Sequence, residues 1–135
     1  MQVHWVKDAK VEHHCRLLGI KHETATVPVA EIDAELSRQK QCRLGPKINE
    51  DWVVEYAAAM EAGSPFPMVV LNKLKKGYFV WSGNHRLAAA VLLDQTHLNA
   101  YVVQVTDARL ADILPRVVNA WEGRRLSREE MLVQA

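Results

Sequence analysis

The stretch Gly77–Leu93, GYFVWSGNHRLAAAVLL, predicts a strand, a glycine turn and the start of a helix in direct succession. Aromatic and β-branched residues at 78–81 favour a strand, and Ser82 and Gly83 end it. From Asn84 onward the run is rich in alanine and leucine, which favour a helix. Because a helix start presents free backbone N–H groups and the positive end of the helix dipole, this turn is a candidate anion site.

Two side chains at this turn suit a phosphate group. His85 can donate a hydrogen bond, and Arg86 can hold a phosphate through two parallel hydrogen bonds. Gly83 has no β-carbon, so a ligand can approach the backbone closely. We therefore assign phosphate binding to Ser82, Gly83, Asn84, His85 and Arg86. The alternative is an ordinary strand–glycine–helix turn without a ligand, in which Arg86 is solvated.

The length and composition of the chain limit the classes of protein to which it can belong. A chain of 135 residues with 49% hydrophobic and 24% charged residues can form one globular domain with its own core. The net charge of +1 argues against a surface that attracts nucleic acid as a whole. Cys15 and Cys42 form no C-x-x-C motif, and we expect two free thiols in a reducing compartment. Without an apolar leader or a membrane-length apolar run, we expect a cytoplasmic protein.

A cluster of potential metal ligands occurs near the start of the chain. His13, His14, Cys15 and His22 are all ligand types that zinc accepts. Adjacent side chains diverge, however, and three consecutive ligands are poorly spaced for one tetrahedral site. We therefore expect an ordinary polar surface here and no metal site.

The first third of the chain carries weak strand patterns. Val3 and Trp5, with Val11, suggest a short strand. Val27–Asp33 reads as a strand that enters a turn, and Pro28 suggests that this strand lies at a sheet edge.

A clear helix pattern follows at Glu50–Ala62. Asn49 is a good N-cap, and Gly63 is suited to end the helix. Residues at the spacing i, i+3, i+4 and i+7 are expected to form the buried face: Val53, Tyr56, Ala57 and Met60.

The next segments predict a hairpin and a further strand. Ser64–Pro67 reads as a rigid connection, Met68–Leu71 as a buried strand and Asn72–Lys76 as the turn into the strand at 78–81. Leu98–Val105 predicts another strand. Its alternation is expected to put Ala100 and Val102 on one face, with Tyr101, Val103 and Val105 on the other.

The remaining C-terminal part predicts turns and helices. Asp94–His97 reads as a turn with an exposed His97, and a short helix is expected at 107–114. Pro115 suits the first turn of a following helix that ends at Gly123. Ser127–Glu130 has the pattern of a capping box and starts a last helix.

Ser-Gly-Asn-His-Arg-Leu-Ala-Ala-Ala at 82–90 resembles the Gly-x-x-Arg segment of the ParB/sulfiredoxin superfamily. ParB-like proteins usually carry Gly-Glu-Arg-Arg there and sulfiredoxins Gly-Cys-His-Arg, and both grip nucleotide phosphates with it. Asn84 stands where sulfiredoxins have their nucleophilic cysteine, so the resemblance does not imply sulfinic-acid reduction. The order of elements is similar to the ParB-like order over about half of the chain.

The resemblance implies an α+β fold of the ParB/sulfiredoxin type. We expect a small mixed sheet packed with helices at 1–114, and a helical C-terminal segment at 115–135. In ParB-like proteins a DNA-binding region follows such helices, which suggests that this chain is a fragment or a short member lacking that region.

The resemblance also implies secondary nucleotide contacts. Gln41-Cys42-Arg43 is similar to the Gln-x-Arg segment that helps form the ParB nucleotide pocket. The surrounding basic stretch 34–47 is either a solvated loop or covers the phosphate site. The third ParB segment, usually Glu-Asn-x-x-Arg, implies contacts with phosphate or metal from Asn119, with Arg124 or Arg125 as substitutes for the usual arginine.

Two departures bear on nucleotide hydrolysis. Val118 stands where the family usually has glutamate, and Glu122 stands where it usually has arginine. A metal-binding carboxylate is thus missing and one charge is reversed, which argues against hydrolysis.

Three functions follow as hypotheses. The first is a nucleotide-binding switch module, for CTP or ATP with Mg²⁺, of a ParB-like partition, segregation or regulatory protein that forms a homodimer and contacts DNA through residues beyond this chain. The second is a ParB-like nuclease, phosphotransfer enzyme or weak nucleotide triphosphatase, for which His85 is the one catalytic candidate. The third is a ligand-free protein-interaction domain, which Val118 and Glu122 favour. The type of nucleotide, and a chromosomal, plasmid or phage role, stay open.

Overall fold

The computed structural model describes residues 2–33 and 48–105. Its helices are α1 (Ala9–Leu17), α2 (Glu50–Glu61) and α3 (Asn84–Leu92), and a 3-10 turn lies at Val29–Glu31. Its strands are β1 (His4–Val6), β2 (His22–Pro28), β3 (Pro65–Pro67), β4 (Val69–Lys73), β5 (Tyr78–Ser82) and β6 (His97–Val103).

A four-stranded mixed sheet in the order β2–β6–β4–β5 organises these elements. Strand β6 pairs antiparallel with β2 and parallel with β4, while β4 and β5 form an antiparallel hairpin. Strands β1 and β3 make a separate parallel pair, with Trp5 opposite Phe66. The predicted α+β architecture with a small mixed sheet is confirmed. Pro28 ends β2 at the edge of the sheet, as its missing N–H requires.

The sheet buries both faces. The predicted alternation of β6 is confirmed, with Ala100 and Val102 on one face and Tyr101 and Val103 on the other. Helix α1 covers the Tyr101 face through Val11 and Cys15. Leu87 of α3 packs on the opposite face. Because residues of a helix pack against each face, most residues of the central strands β4 and β6 are apolar and buried.

Helix α2 confirms its sequence pattern. The side chain of Asn49 accepts a hydrogen bond from the Trp52 N–H at 3.1 Å, as expected of an N-cap. The helix ends at Glu61, one residue before the predicted end. A third apolar cluster joins α2 to α3 and β3. It contains the predicted Val53, Ala57 and Met60 together with Ala59, Phe66 and Ala89, and the half-buried Tyr56 packs against it.

The N-terminal part differs from its prediction. The expected strand at Val3 and Trp5 is confirmed as β1, but Val11 lies in helix α1. The side chain of Asp8 caps this helix by accepting from the N–H groups of Lys10 and Val11. Val11 and Cys15, one helical turn apart, then face the core.

Further boundaries were wrong: β4 is Val69–Lys73 and includes the first two residues of the predicted turn, and β6 is His97–Val103. The predicted rigid connection Ser64–Pro67 contains β3, which pairs with a segment about sixty residues earlier in the chain. Strand β2 begins at His22 and not at Val27, because its pairing with β6 extends back to His22. The prediction missed this part of the strand because its residues are mostly polar and show no apolar alternation.

Several predictions fall outside the described residues. They are the helices expected from residue 106 onward, the C-terminal region 115–135 with its capping box, and the residues Gln41, Cys42, Arg43, Val118, Asn119, Glu122, Arg124 and Arg125. Within residues 2–33 and 48–105, none of the helices combines the length and apolar character that crossing a membrane requires.

Candidate functional site

Strand β5, a glycine and helix α3 follow one another as the sequence predicted. Gly83 lies between them with a φ of +114°, a left-handed conformation that disfavours a side chain. A β-carbon at this position would lie 2.5 Å from Cγ1 of Val69 and 3.2 Å from Nη2 of Arg86. The space on that side of Gly83 is therefore occupied by the protein itself, and packing alone requires glycine here.

Arg86 lies beneath the turn with an exposed fraction of 8%. Its Nη1 donates to the backbone carbonyls of Pro67 at 2.6 Å and Met68 at 3.2 Å. Its Nη2 donates to Oγ of Ser82 at 3.2 Å. The guanidinium thus ties the junction of β3 and β4 to the end of β5. Its predicted bidentate contact with phosphate stays a prediction.

His85 connects the turn to helix α2. Its Nε2 accepts a hydrogen bond from the backbone N–H of Asn49 at 3.0 Å, so the ring proton of the neutral imidazole is on Nδ1. The ring lies against Trp52 and Tyr56, with centroid distances of 5.2 and 6.3 Å. Burial and, to a lesser degree, the charge of Arg86 lower the pKa of His85, which favours this neutral form.

Asn84 is the first residue of α3 and has an exposed fraction of only 6%. Its side-chain nitrogen Nδ2 is buried and has no hydrogen-bond partner within the described part of the protein. A buried amide N–H without an acceptor is costly and rare in folded proteins. Among the described residues this is the buried side-chain group that the fold leaves unsatisfied, and it lies at the predicted anion site.

The start of α3 also has no side-chain cap. The N-cap residue is Gly83, and the first turn of the helix contains no acidic side chain. The N–H groups of Asn84, His85 and Arg86 have no acceptor within the helix, as in every helix start. The turn therefore combines backbone donors, the side-chain donor of Asn84 and the positive end of the helix dipole.

The structure brings the predicted phosphate-binding residues together and adds others. Ser82–Arg86 form one continuous turn. Sequence reasoning assigned Asn49 only as a helix cap and Tyr56 only to the buried face of α2, and it gave Trp52 no role; the structure places both aromatic side chains beside His85. That pair carried a signal, because two aromatic residues at the spacing i, i+4 near a helix start share one face.

The histidines and cysteine near the N-terminus are spread over two elements. His13, His14 and Cys15 lie in α1, whereas His22 begins β2. Within residues 2–33 and 48–105, no three His, Cys, Asp or Glu side chains are grouped so as to hold a metal ion. Cys15 is a free thiol, as predicted, and its burial raises its pKa.

Residues 19–114 match the family model of the ParB N-terminal domain. The chain belongs to this family. No curated protein matches the chain.

The fold is similar to that of a solved ParB structure. That structure is the C-terminally truncated chromosome-partitioning protein ParB from Caulobacter crescentus, complexed with CTP-gamma-S. The TM-score is 0.54 at 12% sequence identity, and the match covers 78% of this chain. It covers 56% of the truncated Caulobacter chain, so this chain spans little more than half the length of that chain. At this identity the likeness establishes the fold.

Proposed function

We propose that this chain is the nucleotide-binding domain of a ParB-like partition protein, with the triphosphate bound at Ser82–Arg86. The observation that carries the proposal is the unsatisfied Nδ2 of Asn84 at the start of α3. Family membership supports it independently, since a ParB of the same fold was solved in complex with a CTP analogue.

The physical argument starts from the cost of the unpaired donor. A buried amide N–H without an acceptor costs about 1–3 kcal/mol. A phosphate oxygen at the start of α3 would accept from Asn84 and from the backbone N–H groups beside it. The ligand would thereby supply an acceptor that the described protein residues do not.

Each residue of the turn then has a distinct role. Asn84 donates from its side chain, and His85 has its Nδ1–H as a second donor, because its Nε2 already accepts from Asn49. Arg86 holds the turn through Pro67, Met68 and Ser82 and adds a positive charge beneath the anion. Gly83 permits the close packing of the turn on β4.

Mg²⁺ would accompany the nucleotide and neutralise part of its charge. The described residues contain no carboxylate or histidine group suited to hold a metal ion. The proposal therefore assigns Mg²⁺ to the oxygens of the triphosphate, where this ion keeps most of its waters. CTP is proposed ahead of ATP because the Caulobacter structure contains a CTP analogue. A nucleotide-driven switch, homodimer formation and DNA contacts beyond this chain stay parts of the same proposal.

Isothermal titration calorimetry with CTP and with ATP, each with Mg²⁺, tests the proposal. Asn84→Ala is a cleaner variant than Arg86→Ala, because Arg86 is buried in contacts that hold the fold. Loss of one hydrogen bond to a charged ligand is expected to weaken binding about 10- to 100-fold. Asn99→Ala is the matched control, since Asn99 is exposed on β6 and bonded to Thr26.

Two results would contradict the proposal. One is the absence of binding by either nucleotide to a protein shown to be folded by circular dichroism. The other is equal affinity of the wild type and Asn84→Ala, because the donor that carries the proposal would then contact nothing.

A further inference from the structure

Two helices begin beside one another at the candidate site, and one side chain joins them. His85 is in the first turn of α3, and Asn49 is the N-cap of α2. The backbone N–H of Asn49 donates to Nε2 of His85 at 3.0 Å. The backbone of His85 therefore lies in the candidate anion site, while Nε2 of its ring contacts the start of the neighbouring helix.

We propose that His85 is a positioning residue that couples the phosphate turn to the start of α2, so that anion binding at the turn strengthens the bond between Asn49 and His85. This inference rests on the proposed nucleotide site and adds that the effect of ligand binding reaches the start of helix α2. The coupling depends on Nε2 of His85, which accepts from Asn49, whereas a direct contact with the ligand would use Nδ1.

The contacts of the ring favour a defined orientation. Trp52 and Tyr56, both in α2, flank His85 at centroid distances of 5.2 and 6.3 Å. They are four residues apart and so lie on the same face of α2. Nε2 has to be unprotonated to accept from Asn49, and burial of the ring favours the neutral form.

The coupling follows from the position of His85 in the chain. An anion bound to the first N–H groups of α3 restricts the backbone of the residue that carries the ring. A more restricted backbone holds Nε2 at the place where Asn49 needs an acceptor. By linkage, strengthening of this bond by the ligand has to strengthen ligand binding by the same factor.

Amide hydrogen exchange of the full chain, followed by NMR with and without CTP and Mg²⁺, tests the coupling. The exchange of the Asn49 N–H is expected to slow about fivefold on CTP binding, the factor that corresponds to one neutral hydrogen bond. The N–H of Ala62, which donates to Ala58 at the other end of α2, is the internal control. The slowing has to exceed any change at Ala62, because general stabilisation by a ligand slows both.

Three substitutions separate the two ring nitrogens. In His85→Gln the amide oxygen reaches the place of Nε2, so the acceptor for Asn49 is kept and the slowing is expected to persist. In His85→Asn the amide lies at the place of Nδ1, and in His85→Ala both groups are absent. These two variants are expected to lose the slowing at Asn49. His85→Ala and His85→Gln both lack the Nδ1 donor, so the loss of the acceptor for Asn49 alone is expected to make His85→Ala bind CTP about fivefold more weakly than His85→Gln.

The outcomes distinguish this inference from the proposed function. CTP binding without selective slowing at Asn49 overturns the coupling and leaves the nucleotide site in place. Slowing that persists in His85→Asn but is lost in His85→Gln assigns the effect to Nδ1 and also overturns it. Failure of CTP to bind the folded wild type overturns the proposed function and the coupling together. If His85→Ala does not fold, the wild type and the Gln variant still decide.

Discussion

Two buried asparagines of this protein should respond in opposite ways to the same substitution. Asn72, with an exposed fraction of 4%, has hydrogen bonds at both polar atoms of its side chain: Oδ1 accepts from Trp81 Nε1 at 3.0 Å and from Val105 N at 2.9 Å, and Nδ2 donates to Lys73 O at 3.0 Å. Asn84 is buried to a similar degree, but its Nδ2 has no partner among the described residues. In the absence of nucleotide, Asn72 therefore stabilises the fold and Asn84 does not.

The expected magnitudes follow from these contacts. Asn72→Ala leaves two N–H donors without their acceptor and should lower the free energy of unfolding by about 2–4 kcal/mol. Asn84→Ala removes an unsatisfied donor, which relieves about 1–3 kcal/mol, and places a better helix former in α3. The cavity that the missing amide leaves lowers this gain in the free energy of unfolding by about 1 kcal/mol. Asn84→Ala is therefore expected to have a free energy of unfolding that equals that of the wild type or exceeds it by up to about 2 kcal/mol.

Urea denaturation followed by far-UV circular dichroism measures both variants against the wild type. The midpoints should move in opposite directions, or that of Asn84→Ala should stay in place, with unchanged slopes. The calorimetric loss of CTP affinity in Asn84→Ala then occurs in a protein that is no less stable. If Asn84→Ala is destabilised as strongly as Asn72→Ala, Asn84 has a structural partner and the argument for an anion at this turn is refuted.

Two further predictions concern the same turn. Gly83→Ala should lower the free energy of unfolding by about 2–4 kcal/mol in urea denaturation, because it combines a left-handed φ with a β-carbon driven into strand β4. Gly63→Ala is the matched control, since Gly63 has a φ of +90° with no atom within 4 Å of the added carbon, and it should cost less; equal losses would show that packing at Gly83 contributes nothing. For His85, the pKa is lowered from 6.5 in the folded state, so the unfolded chain takes up the proton more readily and stability is lost as the pH falls below this value. The free energy of unfolding should therefore fall more between about pH 7.5 and about pH 5.5 in the wild type than in His85→Gln, which has no titratable group there; parallel falls would mean that His85 is not held neutral.

The sequence predicted the elements whose information is local. Helix α2 has its cap at Asn49 and its apolar residues at helical spacing, and both were read correctly. The alternation of β6 predicted which residues face each side of the sheet, and the glycine turn before α3 was found at its place. In each case the residues that form the pattern lie close together in the sequence.

Helix α1 was missed although its signals are local. Asp8 is a good N-cap, and Val11 and Cys15 are one helical turn apart. The helix has nine residues, too few for a strong apolar period, and its middle is occupied by the polar pair His13 and His14. The pairing of β1 with β3 was missed for a different reason, because it joins His4–Val6 to Pro65–Pro67, two segments far apart in the sequence.

For the candidate site, the sequence by itself determined the kinds of groups that meet at the turn. A glycine that follows a strand and precedes an alanine-rich run starts a helix, whose first turn contains free backbone donors together with Asn84, His85 and Arg86. Because these three residues are consecutive, any helix that starts here brings them together. The partners of those side chains depend on distant segments. Only the packing of β3 and β4 against the turn gives Arg86 its carbonyl acceptors, and only the approach of α2 gives His85 the N–H of Asn49. Tertiary structure also decides that Asn84 is buried and that its Nδ2 has no acceptor among the described residues, because hydrogen-bond satisfaction depends on which segments come together in three dimensions.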